Sequence, residues 1–221
     1  MCGRYATTRS DADLTLLFDA APVAEPSTPS WNVAPTDPVP VARISQRHEG
    51  RVLDSARWGL SPSWWSGAPM INARAETVAT SPAFAPSFAR RRCLVPADGW
   101  FEWVREGKRK QPFYMTPADG APLVFAGLWA VSGTGVLTCG IVTTEAVGEL
   151  AAVHSRMPLV LPAERWPGWL GGDDEPGALL RPMTAAELSF IEIRPVGPAV
   201  GNVRNNGPEL IALSAQEPTL F

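Results

Sequence analysis

The sequence predicts an α+β fold: a single domain with a largely antiparallel, barrel-like β-sheet and several short flanking helices. Strand-like runs outnumber helical ones, and they do not alternate regularly with helices as they do around a parallel sheet. The chain has 221 residues, of which 45% are hydrophobic, and this is enough to fill one sizeable core. We therefore expect residues 1–221 to form one domain.

The first predicted element is a helix at Ser10–Phe18. Ser10 suits the N-cap position, Asp13 is placed for a capping interaction, and the leucines and phenylalanine that follow fall on one face. The proline-rich stretch Ala20–Pro40 comes next and predicts an extended loop.

Several runs rich in β-branched and aromatic residues predict the strands of the sheet. They are Val39–Ile44, Val52–Trp58, Cys93–Val104, Pro112–Thr116, Leu123–Ala130, Val136–Thr144 and Phe190–Arg194. Short helical runs lie between some of them, at Ala83–Arg90, Glu145–Val153, Ala163–Leu170 and Thr184–Leu188. Gly171–Pro176 is the one weak boundary, and we expect it to be a surface loop.

The charge and the apolar runs exclude some classes of function. The net charge of -3 argues against nonspecific binding of polyanions, so a nucleic-acid partner needs a local basic patch. No apolar run approaches the roughly 20 residues that span a bilayer, and the start lacks a signal-peptide pattern. We therefore expect a cytoplasmic protein without membrane association, bound to the nucleoid when it binds DNA.

The cysteines indicate neither a disulfide framework nor a metal site. Cys2, Cys93 and Cys139 make an odd number and show no C-x-x-C spacing, so reduced thiols are expected. We expect no metal and no cofactor.

Cys2 directly follows Met1 and is small enough for methionine aminopeptidase to be expected to remove Met1. The mature chain then begins with an α-amine and a thiol on adjacent carbons, a 1,2-aminothiol. Ordinary pKa values of about 7.7–8.0 for the amine and about 8.5 for the thiol leave part of each unprotonated near neutral pH. The alternative is that Cys2 and Gly3 form only a mobile start to the chain.

Aromatic and amide-rich strings supply candidate binding residues. Trp64 and Trp65 lie in a segment rich in Ser, Pro and Gly, and exposed indoles beside arginines make a stacking platform for unpaired bases. The alternative places both indoles in the core beneath a loop. Asn72 can orient a carbonyl or imine nitrogen and Arg74 can clamp a phosphate, although Asn72 also suits a turn.

Glu102 and His154 are candidates for proton transfer. Glu102 lies within an aromatic run, where burial would raise its pKa towards the range useful for catalysis; the alternative is a surface glutamate on an edge strand. His154 shares the inward face of a predicted helix that Pro158 prevents from continuing. Together with Cys2 they make a nucleophile with two proton-transfer groups, unless His154 is an ordinary core histidine.

These strings, in this order, resemble the SRAP family (SOS response-associated peptidase-like proteins), which shield abasic sites in single-stranded DNA by covalent attachment. The resemblance covers nearly the whole chain. The matching strings are Met1-Cys2-Gly3-Arg4, Trp31-Asn32-Val33-Ala34-Pro35, Asn72-Ala73-Arg74-Ala75-Glu76-Thr77, Gly99-Trp100-Phe101-Glu102-Trp103, His154-Ser155-Arg156-Met157-Pro158 and Gly201-Asn202-Val203.

The resemblance implies a site and a chemistry. The catalytic positions are Cys2, Asn72, Glu102 and His154, and the DNA-contacting positions are Arg4, Asn32, Pro35, Trp64, Trp65, Arg74, Trp103, Thr143 and Arg156. The implied product is a thiazolidine between Cys2 and the aldehyde of a ring-opened abasic site. Glu102 is expected to shuttle protons, His154 to protonate the sugar oxygen, and Asn72 to position the amine. A weak strand-cleaving lyase activity is expected beside cross-linking, and the expected partner of the monomer is single-stranded DNA with abasic sites.

Two other readings remain open from the sequence. One is a cysteine N-terminal nucleophile peptidase or amidohydrolase that matures by loss of Met1, since a thiol, a free amine and His154 also suit that chemistry. The other is a noncatalytic single-strand DNA binder that uses the tryptophans and arginines.

Overall fold

The computed structural model describes residues 2–25, 27–45, 47–107, 109–171 and 175–214. The strands are β1 (Tyr5–Thr7), β2 (Ala20–Pro22), β3 (Ser30–Val33), β4 (Pro38–Ile44), β5 (Arg51–Trp58), β6 (Asn72–Arg74), β7 (Arg92–Ala97), β8 (Gly99–Glu106), β9 (Arg109–Pro117), β10 (Leu123–Val131), β11 (Leu137–Glu145), β12 (Arg156–Pro158) and β13 (Ile191–Pro195). The α-helices are α1 (Asp11–Phe18), α2 (Ala75–Val78), α3 (Ala85–Arg90), α4 (Leu150–Val153), α5 (Trp166–Gly171) and α6 (Pro176–Leu179). Short 3₁₀ helices span Ala163–Arg165, Pro198–Gly201 and Pro208–Ile211.

The larger sheet closes into a barrel. Its strand order is β12-β11-β10-β7-β4-β5-β2, with β6 beside β11. β11 also pairs with β5 in parallel, with Thr138 opposite Arg57 and Cys139 opposite Trp58, so β11, β10, β7, β4 and β5 form a closed ring. Parallel pairs also join β6 to β11 and β2 to β5, and the other pairings are antiparallel. The predicted α+β class with a largely antiparallel, barrel-like sheet is therefore confirmed.

The smaller sheet carries the start of the chain in its interior. Its order is β13-β9-β8-β1-β3, and Tyr5 of β1 lies opposite Val33 on one side and Trp100 on the other. The Tyr5 ring packs edge-on against Trp58 of the barrel with ring centroids 5.1 Å apart. This contact joins the two sheets in one buried cluster.

A second cluster holds the helices against the barrel. Leu14 and Phe18 of α1, Phe88 of α3 and Trp169 of α5 are buried with apolar residues of the barrel strands. No helix in the described ranges is both long and apolar enough to cross a membrane.

Several predicted elements are confirmed. Helix α1 is capped by Ser10, whose Oγ accepts a hydrogen bond from the backbone N–H of Asp13 at 3.1 Å. The predicted strands that overlap β4, β5, β9, β10, β11 and β13, and the predicted helix that overlaps α3, are present with shifted ends.

One predicted strand is in fact two. Cys93–Val104 divides into β7 and β8, which belong to different sheets. The chain turns at Asp98, whose backbone N–H donates to the carbonyl oxygen of Ala6 at 2.7 Å. This turn is what carries the polypeptide from the barrel to the sheet that contains β1.

Other predictions were too coarse. Ala20–Pro40 is not wholly loop, because it contains β2, β3 and the start of β4. Glu145–Val153 was expected to be a helix, but only α4 forms, because Glu145 ends β11 and pairs with β12. Ala163–Leu170 divides into a 3₁₀ turn and α5, and Thr184–Leu188 forms turns. Of the boundary Gly171–Pro176, residues 172–174 lie outside the described ranges.

Candidate active site

Strand pairing brings Cys2 alongside Glu102. Cys2 lies just before β1, and the backbone N–H of Phe101 on β8 donates to the carbonyl oxygen of Arg4 at 3.0 Å. The antiparallel register therefore runs the residues before β1 past Glu102. Cys2 is fully buried and Glu102 is 4% exposed, so Cys2 is not merely a mobile start and Glu102 is not a surface residue.

Asn72 contacts Cys2 from the barrel side. Because β6 pairs in parallel with β11, Asn72 is held at the junction of the two sheets. Its Nδ2 donates to the carbonyl oxygen of Cys2 at 2.8 Å. Its Oδ1 is buried without a hydrogen-bond partner among the described residues. The amide thus binds the start of the chain rather than a local turn.

Burial controls the electrostatics of Cys2 and Glu102. Removal from water raises the pKa of Glu102 to about 7, and the positive charge of the chain's amino terminus partly offsets the rise. Burial also raises the pKa of the Cys2 thiol well above its ordinary value, and the Glu102 carboxylate adds to this effect. The site therefore holds a carboxyl group that titrates near neutral pH beside a thiol that stays protonated.

His154 lies just beyond α4, in extended conformation rather than on the helix. Its Nδ1 lies 2.9 Å from the backbone nitrogen of Arg156, which donates to it when the ring carries its proton on Nε2, and 3.2 Å from the carbonyl oxygen of Arg156, to which it donates in the other tautomer. Burial and then the charge of the amino terminus lower the pKa of His154. Glu102 and His154 line the same narrow crevice, with Trp100 and Met115 in its wall.

Arg156 and Thr143, both expected to contact DNA, are bound within the protein. Arg156 donates from Nη1 and Nη2 to the two carboxylate oxygens of Glu76 at 2.7 and 3.0 Å. Its Nη2 also donates to the carbonyl oxygen of Thr143 at 2.6 Å, and Thr143 is fully buried. Glu76 received no role from the sequence, although it stands in the Asn72–Thr77 string two residues after Arg74.

Arg4 and Asn32 are likewise linked to each other. Arg4 Nη1 donates to Asn32 Oδ1 at 2.7 Å and to the carbonyl oxygen of Val200 at 2.9 Å. Asn32 is buried, and its Nδ2 donates to the carbonyl oxygens of Asn202 and Asn205. Asn32 therefore orients Arg4 and the segment after Val200 and presents no free amide to a ligand.

The other predicted DNA contacts are at the surface. Trp64 is 55% exposed and meets the half-buried Trp65 edge to face with ring centroids 6.0 Å apart. Pro35 and Arg74 are exposed, and Trp103 is half-buried. Arg74 donates no side-chain hydrogen bond within the described ranges, which leaves its guanidinium available. The alternative that both indoles lie in the core is wrong for Trp64.

The described part of the chain contains no cluster of three or more His, Cys, Asp or Glu side chains that could hold a metal ion. Cys2, Cys93 and Cys139 are free and buried.

Comparison with known protein families and curated proteins gives consistent matches. The family profile described as "SOS response associated peptidase (SRAP)" matches residues 1–203. The chain is 39% identical to the abasic site processing protein YedK of Escherichia coli, over 96% of this chain and 99% of that protein. It is 35% identical to the abasic site processing protein YoaM of Bacillus subtilis, over 96% and 97% of the two chains.

Solved structures share the fold. A protein from Bacteroides thetaiotaomicron superposes with a TM-score of 0.80 at 20% identity, covering 96% of this chain and 100% of that one. A phage-related protein from Bordetella bronchiseptica superposes with a TM-score of 0.70 at 29% identity, covering 88% of this chain and 94% of that one.

Proposed function

This chain belongs to the SOS response associated peptidase (SRAP) family, and from that premise we propose that it processes abasic sites in single-stranded DNA. In this proposal Met1 is removed, and Cys2 forms a covalent thiazolidine with the aldehyde of the ring-opened abasic sugar. The relatives named as abasic site processing proteins supply the substrate class.

The proposed reaction needs both nucleophiles of Cys2. The α-amine adds to the aldehyde carbon, and loss of one water gives an imine. The thiol sulfur then adds to the imine carbon while the thiol proton passes to the nitrogen, which closes a five-membered ring. Because both groups belong to one residue, ring closure is intramolecular, and effective molarities for such steps reach about 10⁵–10⁸ M.

The observation that carries the proposal is the environment of Asn72. Its Nδ2 already holds the carbonyl oxygen of Cys2 at 2.8 Å, while its buried Oδ1 has no partner among the described residues. A free α-amine on Cys2 would give Oδ1 a donor and would be oriented by it. An unpaired buried acceptor is costly, so this one is best explained as part of the site.

Glu102 and His154 supply the proton transfers. Burial raises the pKa of Glu102 above its ordinary value, so Glu102 can accept a proton from the attacking amine and return one as water leaves, since a group that titrates near the working pH serves both steps. In the tautomer that accepts from the backbone N–H of Arg156 at Nδ1, His154 carries its proton on Nε2 and can donate it to the sugar oxygen as the ring opens. An imine at C1 of the sugar also acidifies the neighbouring carbon, so a minor β-elimination activity accompanies cross-linking in this scheme.

The surface residues have separate roles in DNA binding. Arg74 offers an exposed guanidinium for a phosphate, Arg4 is oriented by Asn32, and Trp64 offers an indole face for an unpaired base. These contacts favour single strands, because stacking on an indole requires a base that is not already paired.

The raised pKa of the Cys2 thiol weighs against the amidohydrolase alternative. A cysteine hydrolase attacks as the thiolate, and burial with the neighbouring Glu102 carboxylate disfavours that form. In the aminothiol scheme the amine attacks first and the thiol is needed only after the imine has formed.

The decisive experiment controls the amine and leaves the thiol unchanged. A form with an uncleavable tag ahead of Cys2 should form no stable adduct with a single-stranded oligonucleotide that contains an abasic site, because its amine is an amide. The same tag with a protease site that leaves Cys2 first should restore a shifted band on a denaturing gel. Intact mass should equal protein plus DNA minus one water.

Two further results would separate the alternatives. Cys2→Ala with a free amine should give only a reversible imine that borohydride traps. Retention on a native gel with no band on the denaturing gel would select the noncatalytic binder. Normal cross-linking by the uncleavable form would contradict the thiazolidine scheme.

A further inference from the structure

The ion pair between Glu76 and Arg156 joins the two segments that carry the site. Glu76 lies on α2, directly after β6 with its Asn72 and Arg74. Arg156 begins β12, two residues after His154. The pair is bidentate, with Nη1–Oε1 at 2.7 Å and Nη2–Oε2 at 3.0 Å. A planar fork of this kind fixes orientation as well as distance.

The Arg156 guanidinium is almost wholly enclosed. Its side chain is 13% exposed, against 45% for that of Glu76, and Nη2 also donates to the carbonyl and hydroxyl oxygens of Thr143. The backbone N–H of the same arginine is the donor to His154 Nδ1. Arg156 thus links the two groups, because its guanidinium binds Glu76 and its backbone N–H contacts the imidazole.

We infer that Glu76 is a positioning residue: its carboxylate holds Arg156 against Thr143 and so fixes the ring and tautomer of His154 beside Glu102. The catalytic role of the His154 ring rests on the proposed function. Without the carboxylate, Nη1 loses its only described acceptor, and the residues around His154 lose the anchor that aligns the N–H with Nδ1.

The same carboxylate also keeps Arg156 from phosphate. It neutralises an enclosed guanidinium two strands from the exposed Arg74, and the half-exposed Glu76 carboxylate separates that guanidinium from solvent. Removal of the Glu76 charge should therefore tighten DNA binding while it slows the reaction. A residue that served stability alone would not change these two quantities in opposite directions.

The first test measures the tautomer of His154. The chain has two histidines, so a His48→Gln background leaves one set of side-chain ¹⁵N signals for NMR. Wild type should show the Nε2–H tautomer, whereas Glu76→Ala should show a mixture and Glu76→Gln an intermediate state. Near-UV circular dichroism confirms that each variant is folded.

The second test measures the cross-linking rate and the affinity for single-stranded DNA. Glu76→Ala should lower the maximal cross-linking rate by about ten- to a hundredfold, as for a misplaced catalytic group. Its affinity for undamaged single-stranded DNA should rise, with a log–log salt slope steeper by about 0.7 for one more phosphate contact. The matched control is Glu192→Gln, which breaks a similar pair with Arg194 on β13 and should change neither quantity.

A double variant tests whether Glu76 acts through Arg156. If Glu76 acts through Arg156, Glu76→Ala should change neither the tautomer nor the rate further in an Arg156→Ala background. A wild-type tautomer and rate in Glu76→Ala, or an additional loss in the double variant, would overturn the inference. If wild type itself formed no adduct, the proposed function would fail, while the tautomer and the salt slope would still decide the role of Glu76.

Discussion

At the scale of single residues, Glu102 should make the stability of the protein depend on pH. Its folded-state pKa of about 7 lies above its ordinary value of 4.5, so between these values the folded state binds a proton that the unfolded state has lost. Stability is therefore lost as pH rises from about 4.5 to about 7, by on the order of 3 kcal/mol in total.

Glu102→Gln should remove this dependence. Urea denaturation should show that the free energy of unfolding of wild type falls from pH 5 to pH 8, while that of Glu102→Gln does not fall by the same amount. Glu192→Gln is the control, because its Arg194 partner lowers the pKa of Glu192, so this group stabilises the fold fully above its ordinary pKa of 4.5 and its contribution should be flat from pH 5 to pH 8. A parallel pH dependence in wild type and Glu102→Gln would show that the carboxyl group titrates normally.

Residue types in the sequence indicated candidate site residues but not the side chains that those residues bind. Glu102 was a candidate because an acidic side chain within an aromatic strand is costly to bury ionised, and the structure buries it. Glu76 gave no such signal, because a half-exposed glutamate is the common case. Its significance comes from Arg156, eighty positions later, and no local pattern reports that pairing.

At the scale of elements, Gly99 determines how closely β8 can approach β9. A Cβ on Gly99 would meet the backbone oxygen of Met115, and it would lie 2.6 and 2.7 Å from Cζ and Oη of Tyr114. Gly99→Ala should lower the free energy of unfolding by about 1–3 kcal/mol, seen as a lower urea midpoint with an unchanged m-value. Gly201→Ala, where a Cβ meets nothing within 4 Å, should stay near wild type.

The same glycine shows why one long strand was predicted where two exist. The residues from Cys93 to Val104 read as one β-rich run, because the propensities on both sides of Gly99 favour strands. The change of sheet at Asp98 comes from tertiary pairing with Ala6. Helix α4 was predicted too long for a related reason, because Glu145 has a strand partner in β12 that outweighs its helix propensity.

At the scale of the whole molecule, DNA binding should depend on where the positive charge lies rather than on its total. The net charge is -3, so an exposed arginine beside the site should matter more than one elsewhere. Arg74→Ala should weaken binding to single-stranded DNA and reduce the salt slope by about 0.7, as measured by fluorescence anisotropy over a salt series.

Arg47→Ala is the matched control for charge. Arg47 is exposed in the turn before β5. Strand β5 separates it by about 25 Å from Trp58 at the other end. Trp58 lies near the site, because its indole N–H donates to the carbonyl oxygen of Ile71, next to Asn72. Equal losses of affinity in the two variants would point to a diffuse electrostatic effect and would remove Arg74 from the site.

The barrel itself could be predicted only as a tendency. The count of strands and their lack of alternation with helices indicated an antiparallel, barrel-like sheet. The closing pair of β5 and β11 is parallel and joins segments far apart in the sequence, and pairing of that kind leaves no local signal. Asn72 is placed by another parallel pair, β6 with β11, so its contact with Cys2 could not be predicted from the sequence either.

The central place of β1 in its sheet has a consequence for the order of events during protein synthesis. β1 is made first but pairs with β8, so it cannot be enclosed until about a hundred residues have left the ribosome. At roughly 5–20 residues per second this takes roughly 5 to 20 s. If Met1 is removed as we propose, the aminopeptidase meets an unpaired chain end during that interval, whereas Cys2 is buried beside β8 once the sheet has formed. Translation and folding thus favour activation of the nucleophile before the sheet closes.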